Sequence, residues 1–194
     1  MKLFIYRGKV ESESKMQAEL IKRCLRVYIT ENCTVNKKFN NTIKTIENTE
    51  IQRTSKGKPY VEADNLEFSI SHSGNLWTCL VSDVPVGVDI QKIRAVDAGK
   101  LAVRFFTEGE QQYIAKFGKE SFFDIWVRKE AYVKYTGTGI SEGLSTFAVA
   151  DAEKLYASVD NAGKYYFYDI HISPEIKCSI CSDKIDDIDI VEIE

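Results

Sequence analysis

Proline occurs only 3 times and glycine 11 times in 194 residues, which excludes a collagen-like repeat and a proline-rich disordered chain. No stretch approaches the ~20 consecutive apolar residues that a membrane span requires. The opening Met1-Lys2-Leu3-Phe4-Ile5-Tyr6-Arg7 is too short an apolar run for a signal-peptide core. A cytoplasmic protein with no membrane partner is therefore expected. The 5 cysteines, Cys24, Cys33, Cys79, Cys178 and Cys181, are odd in number and scattered, which argues against a disulfide framework and for reduced thiols. Cys178-Ser-Ile-Cys181 has zinc-like spacing, but no second Cys or His pair accompanies it, so two buried thiols on a strand are expected and no zinc is assigned. Neither charge dominates: 26 Lys and Arg against 29 Asp and Glu leave a net charge of −3, and no nucleic-acid surface is demanded.

What remains is an ordinary folding composition, 44% hydrophobic and 28% charged, long enough for one domain or two small halves with a real core. Charge is unevenly placed. Lys37, Lys38, Lys44, Arg53, Lys56 and Lys58 lie in the first third, while Asp183, Asp186, Asp187, Asp189, Glu192 and Glu194 crowd the end. A local anion site is consistent with the first group.

Residues 2–7 read as a strand, and Met16, Leu20, Cys24, Val27 and Tyr28 carry one helical face over 12–29. Gly57 and Pro59 mark a basic loop in Arg53-Thr-Ser-Lys-Gly-Lys-Pro-Tyr60. Three strand-like runs follow, 66–73, 76–82 and 86–91, and read as a β-meander. Period two puts Val86, Val88 and Ile90 on one face and Gly87, Asp89 and Gln91 on the other, so Asp89 stands beside a residue without a side chain, where a ligand could approach. One helical stretch is expected over 97–117 and a stronger helix over 121–136, opened by Ser121 with Asp124 and closed by Gly137. Strands are expected over 144–151, 154–159, 164–173, 176–182 and 185–193, with a hairpin turn at 160–163. The fold class is α+β in two lobes, with 1–95 and 96–194 as the expected halves.

Three groups carry candidate chemistry: the basic loop 53–58, Ser71-His72-Ser73 together with Asp89, and the helix face Trp126, Glu130 and Lys134, spaced one turn apart. Each has a plain alternative. The loop fits a solvated turn, His72 a hydrogen-bonded core histidine in line with Phe68 and Ile70, and Glu130 with Lys134 an exposed helix pair. An aspartate in a strand, where it is disfavoured, is harder to explain without a role. Gly139-Ile-Ser141-Glu-Gly143 matches a nucleophile elbow, with Asp151 and His171 following, and makes a serine hydrolase using Ser141 a remote alternative; the expected order, helix before and strand after, is the reverse of what that motif needs.

In combination the motifs resemble the 4′-phosphopantetheinyl transferases, specifically the larger, single-chain, two-lobed type that activates surfactin synthetase and similar carrier systems. Arg53-Thr-Ser-Lys-Gly-Lys-Pro59 looks like the family's Gly-Lys-Pro loop, Phe68-Ser-Ile-Ser-His-Ser-Gly74 like its Ser-His-Ser segment, and Val86-Gly-Val-Asp-Ile90 like its Gly-x-Asp strand. Arg104-Phe-Phe106 precedes Trp126-Val-Arg-Lys-Glu-Ala131 with Lys134 and Gly137-Thr-Gly139, which looks like its Trp-x-x-Lys-Glu-Ala segment. The match spans 53–147.

The resemblance implies two similar α+β lobes related by pseudo-twofold symmetry, with the active site in the cleft between them. It implies transfer of phosphopantetheine from coenzyme A to a serine of an acyl or peptidyl carrier protein, an acidic helical domain, with release of adenosine 3′,5′-bisphosphate. A monomer serving fatty acid, polyketide or nonribosomal peptide biosynthesis follows. Carried over by position, Asp89 and Glu130 bind Mg²⁺, with Mn²⁺ as a substitute, and Glu130 or a water it orients takes the serine proton. Lys134 and His72 hold the pyrophosphate. Arg53, Lys56, Gly57, Lys58, Pro59 and Ser71 contribute to gripping coenzyme A, Lys129 supports the site, and Glu110 is a weaker acidic candidate. Gln91 stands where many members carry Glu, so it is expected to orient a metal water or to be a weak ligand. Arg23, or alternatively Lys22, is the basic residue of the first helix. Among Phe105, Phe106, Tyr113, Phe117, Phe122 and Phe123, most are expected in the core and one or two at a carrier-docking surface. A coenzyme A-binding relative with little turnover is the main alternative.

Overall fold

The computed structural model describes residues 1–33, 46, 49–139, 143–159, 165–184 and 187–194. Lys37, Lys38, Lys44, Ser141 and the hairpin turn expected at 160–163 lie outside the described residues. Contacts divide the chain into two compact units, Met1–Val86 with Asp186–Glu194, and Gly87–Ile185. This division falls nine residues before the 95/96 boundary read from sequence and returns the last segment to the first unit.

The first unit is a helix on a sheet. β1 (Lys2–Arg7), β4 (Glu67–Ser73), β5 (Leu76–Ser82) and β10 (Asp189–Ile193) form a sheet in the order β10-β1-β5-β4. β1 pairs parallel with β10 and antiparallel with β5, setting Phe4 opposite Val191 and Cys79. α1 (Lys15–Cys33) begins where Ser14 accepts the Gln17 N–H on its hydroxyl (3.0 Å). Its buried stripe is Leu20, Ile21, Cys24, Leu25, Tyr28 and Ile29, against Phe4, Phe68, Trp77 and Cys79. Met16, expected on that stripe, is exposed, because the helix opens only one residue before it. β2 (Gln52–Arg53) and β3 (Pro59–Tyr60) form a small hairpin around the basic loop.

The expected meander is not formed. β4 and β5 make a hairpin, but β6 (Val86–Lys92) leaves for a second sheet, β6-β9-β8-β7, with β7 (Ser158–Val159), β8 (Tyr165–Asp169) and β9 (Ile176–Ser182). Hydrophobic alternation reports that a strand is half-buried, not which strand it joins.

The helical stretch expected over 97–117 is two helices, α2 (Ala98–Phe105) and α3 (Glu108–Phe117). The break is Thr107, extended at φ −68°, ψ 163°, which caps α3 in a box with Glu110. α4 (Ser121–Thr136) follows and ends at Gly137 in the left-handed region. The cap expected at Ser121 is not made: its hydroxyl donates to the Gly118 carbonyl (2.7 Å) and α4 starts without a side-chain cap. Its packing on β9, and of its own Phe122 and Phe123 in a cluster with Phe106, Val149 and Phe167, supplies the stability instead. Leu144–Thr146 is a 3₁₀ turn, not a strand. Cys178 and Cys181 are buried on β9 as thiols, three residues apart and hence on opposite faces.

Candidate active site

The site is built where β6 passes α4. Val86, Val88 and Ile90 are buried on one face of β6, as the alternation predicts. The open space at Gly87 belongs to the helix, not to a ligand. A Cβ there would lie 2.0 Å from the Ala131 carbonyl oxygen and 2.5 Å from the Tyr135 nitrogen, so only glycine lets α4 pack this closely on the strand. That approach brings Asp89, two residues on, within reach of Lys134 on the helix.

Lys134 donates from Nζ to Asp89 Oδ1 at 2.7 Å, with the aspartate side chain 8% and the lysine side chain 27% exposed. The helix pair read from spacing therefore resolves differently: Lys134 reaches across to the strand. Glu130, 7% exposed, has a buried Oε1 with no hydrogen-bond partner among the described residues. Burial, and then the charge of Asp89, push the Glu130 carboxyl up to about 7, with Lys134 pulling the other way. Two carboxylates crowded in one dry place, one with an unmet oxygen, suit a hard divalent cation that completes its shell with phosphate oxygens and water. Among the described residues no group of three His, Cys, Asp or Glu forms a protein-only metal cage. Gln91 is partly exposed and its amide donates to the Lys92 carbonyl (3.2 Å).

Lys129 and Glu110 form a different centre. Both are fully buried and pair at 2.9 Å. Lys129 also donates to the carbonyls of Leu144 (2.6 Å) and Phe147 (2.5 Å), while Glu110 accepts from the N–H groups of Thr107 and Val149, each at 2.8 Å. All this bonding ties α3, α4 and the 144–149 segment together. Trp126 packs with Phe105, Phe106 and Phe122. Arg128 was not singled out in the sequence. It is buried, grips Asp169 through Nε (3.1 and 3.2 Å) and Nη2, and donates to the Tyr156 carbonyl (2.7 Å). Only the fold supplies those partners.

In the first unit the basic loop is a tight hairpin tip. The Thr54 N–H donates to the Lys58 carbonyl (2.9 Å) and the Lys58 N–H donates back to the Thr54 hydroxyl (3.1 Å), and Gly57 takes φ 86° with open space on its Cα. Arg53 is folded onto its own loop, donating to the Gly57 carbonyl (2.8 Å) and pairing with Glu13 (3.2 Å). Lys56 is exposed and Pro59 buried. Lys58 is partly buried with Nζ 3.5 Å from the Val86 carbonyl; burial lowers its pKa and Glu67 opposes that. On β4 the row Phe68, Ile70, His72 runs from buried to exposed, so His72 is not a core histidine, while Ser71 and Ser73 beside it are buried. Arg23 is exposed and donates to the Glu194 carbonyl; Lys22 is partly exposed.

The sequence model of the 4′-phosphopantetheinyl transferase superfamily matches residues 85–181, which includes β6, α4 and all of β9 but its last residue. The chain belongs to the 4′-phosphopantetheinyl transferase superfamily. Among its relatives in that superfamily, the 4′-phosphopantetheinyl transferase psf-1 of Bacillus pumilus is 35% identical over 136 residues, 66% of this chain and 58% of the relative. The transferase gsp of Aneurinibacillus migulanus is 32% identical over 143 residues, 70% and 59% of the two chains. Sfp of Bacillus subtilis (strain 168) is 29% identical over 149 residues, 71% and 66%. The chain thus spans about three-fifths of the length of the first two phosphopantetheinyl transferases it matches. Ser141, the nucleophile of a hydrolase reading, lies outside the described residues, and its neighbours are α4 and a 3₁₀ turn where a nucleophile elbow requires a strand and then a helix.

Proposed function

We propose that the protein transfers the 4′-phosphopantetheine of coenzyme A to a serine hydroxyl of an acyl or peptidyl carrier protein. The observation that carries this reading is the Asp89, Glu130 and Lys134 cluster, buried where β6 meets α4 inside the segment matched by the family. A Mg²⁺ or Mn²⁺ ion held by Asp89 and Glu130, with Gln91 contributing through a water, would neutralise the pyrophosphate oxygens. Lys134 and His72 hold the pyrophosphate, and Lys56, Lys58 and Arg53, with the open backbone at Gly57 and neighbouring Pro59 and Ser71, take the 3′-phosphate and adenine end. The serine oxygen bonds to the phosphorus that carries pantetheine. The bond from that phosphorus to the bridging oxygen breaks, and the bridging oxygen leaves with adenosine 3′,5′-bisphosphate. The serine proton goes to Glu130 or to a water it orients. Lys129 and Glu110 act as the frame that holds α4.

For the carrier protein, the groove between α2 and α3 is the docking surface. It is lined by Ala98, Ala102, Val103, Ile114, Ala115 and Lys119, Val103 is 72% exposed, and Phe117 at the end of α3 is 51% exposed. Lys100, Arg104 and Lys116 on the same helices provide cations for an acidic helix. A cytoplasmic monomer serving fatty acid, polyketide or peptide synthesis fits this chemistry. No helix among the described residues is long and apolar enough to cross a membrane.

Intact-mass spectrometry of apo acyl and apo peptidyl carrier proteins, incubated with the protein, coenzyme A and Mg²⁺, tests the reading. A gain of one phosphopantetheine, absent with Glu130→Ala and with EDTA, is expected. Coenzyme A binding with no mass gain on any carrier would turn the reading into that of a binding protein.

A further inference from the structure

β6 and β9 are neighbours in the second sheet. The N–H of Ile93, one residue past β6, donates to the carbonyl of Glu175, one residue before β9, at 2.8 Å, and Lys92 pairs with Glu175 at 3.5 Å. The end of one strand meets the start of the other, so they run antiparallel, and counting back from that bond sets Asp89 opposite Ser179. Opposed residues of an antiparallel pair share a face. On its other side Ser179 stands opposite Asp169, which α4 grips through Arg128. Asp89, Ser179 and Asp169 therefore form a row across the sheet under α4.

Ser179 is 0% exposed, and its hydroxyl has no hydrogen-bond partner among the described residues. Buried hydroxyls are nearly always paired, and an alanine would pack here without the cost of an unmet donor. Asp169 is engaged by Arg128 at both oxygens. Asp89 is the carboxylate that changes partners: Lys134 holds it now at 2.7 Å, and in the proposed reaction Lys134 turns to pyrophosphate.

We propose that Ser179 is a positioning residue for Asp89, its hydroxyl donating to the Asp89 carboxylate when Lys134 turns to the pyrophosphate and the carboxylate turns to a divalent cation. The inference rests on the metal reading above. Ser179 touches neither substrate nor the reacting phosphorus; it fixes the orientation of a first ligand, the role that outer groups play around bound metals.

Mn²⁺ is titrated calorimetrically into the protein saturated with coenzyme A, without carrier, for wild type, Ser179→Ala, Ser179→Thr and Asp89→Ala, and melting temperatures are measured without metal. Ser179→Ala is expected to keep or raise the metal-free Tm and to lose roughly 10-fold in Mn²⁺ affinity; Ser179→Thr, which keeps the hydroxyl, restores it. Wild-type Mn²⁺ affinity in Ser179→Ala, or a fall in its metal-free Tm, overturns the proposal. If Asp89→Ala loses Mn²⁺ binding while Ser179→Ala keeps it, this inference alone fails. If wild type binds no Mn²⁺, or Asp89→Ala binds it equally well, the metal reading fails with it.

Discussion

Glu130 shows how burial sets the chemistry of one side chain. Its carboxyl is raised from 4.5 to about 7, first by desolvation and then by Asp89. Between those values the unfolded chain has released the proton and the folded chain still holds it, so this residue makes stability fall as pH rises. Glu130→Gln removes that dependence. The gain in Tm of Glu130→Gln over wild type, measured without metal, should be small near pH 4.5, grow up to about pH 7 and then level off. A second prediction separates roles among the residues. Asp89→Ala should remove turnover while leaving coenzyme A affinity within a few-fold, whereas Lys58→Ala should chiefly weaken coenzyme A, by about 10-fold, as expected for a lost charge-assisted bond. Equal losses of both quantities in both variants would undo the division into metal and grip residues.

At the scale of elements, the fit of α4 on β6 decides whether the site exists. Gly87→Ala places a methyl 2.0 Å from the Ala131 carbonyl oxygen, a backbone atom that cannot swing away. The helix must shift. We expect a loss of about 3 kcal/mol or more by chemical denaturation, and a loss of activity in whatever protein remains folded, because Asp89 and Lys134 no longer meet. The Lys129–Glu110 pair makes the complementary point. Lys129→Met leaves a fully buried carboxylate uncompensated and should cost about 3–5 kcal/mol, while Lys129→Met with Glu110→Gln should recover part of that. Both residues were visible in the sequence as charged positions near the motif. Their role as a frame was not, since the carbonyls of Leu144 and Phe147 that receive Lys129 lie 15 and 18 residues away.

For the whole molecule, the apolar groove on α2 and α3 and the buried site ask for different partners, and a surface change should separate them. Val103→Glu puts an acid into the groove that is proposed to receive an acidic carrier. It should lower kcat/KM for carrier by about 10-fold, with the KM for coenzyme A and the Tm unchanged. A fall in coenzyme A affinity would move the docking surface elsewhere.

By itself the sequence determined local matters and the family: the ends of β1 and β5, the start of β6, the helix 121–136 with its glycine stop, the two faces of β6, and the motif order from Gly57 to Lys134. These follow from period, turn chemistry and spacing, which act over a few residues. Only the tertiary structure decided that β6 leaves β5 for β9, that Gly87 serves a helix and not a ligand, that Lys134 binds Asp89 and not Glu130, and that Arg128 and Ser179 belong to the neighbourhood of the site. The physical reason is common to all four. Strand partners, close packing and the fate of a buried charge depend on groups far away in the chain, which meet only once the core has closed.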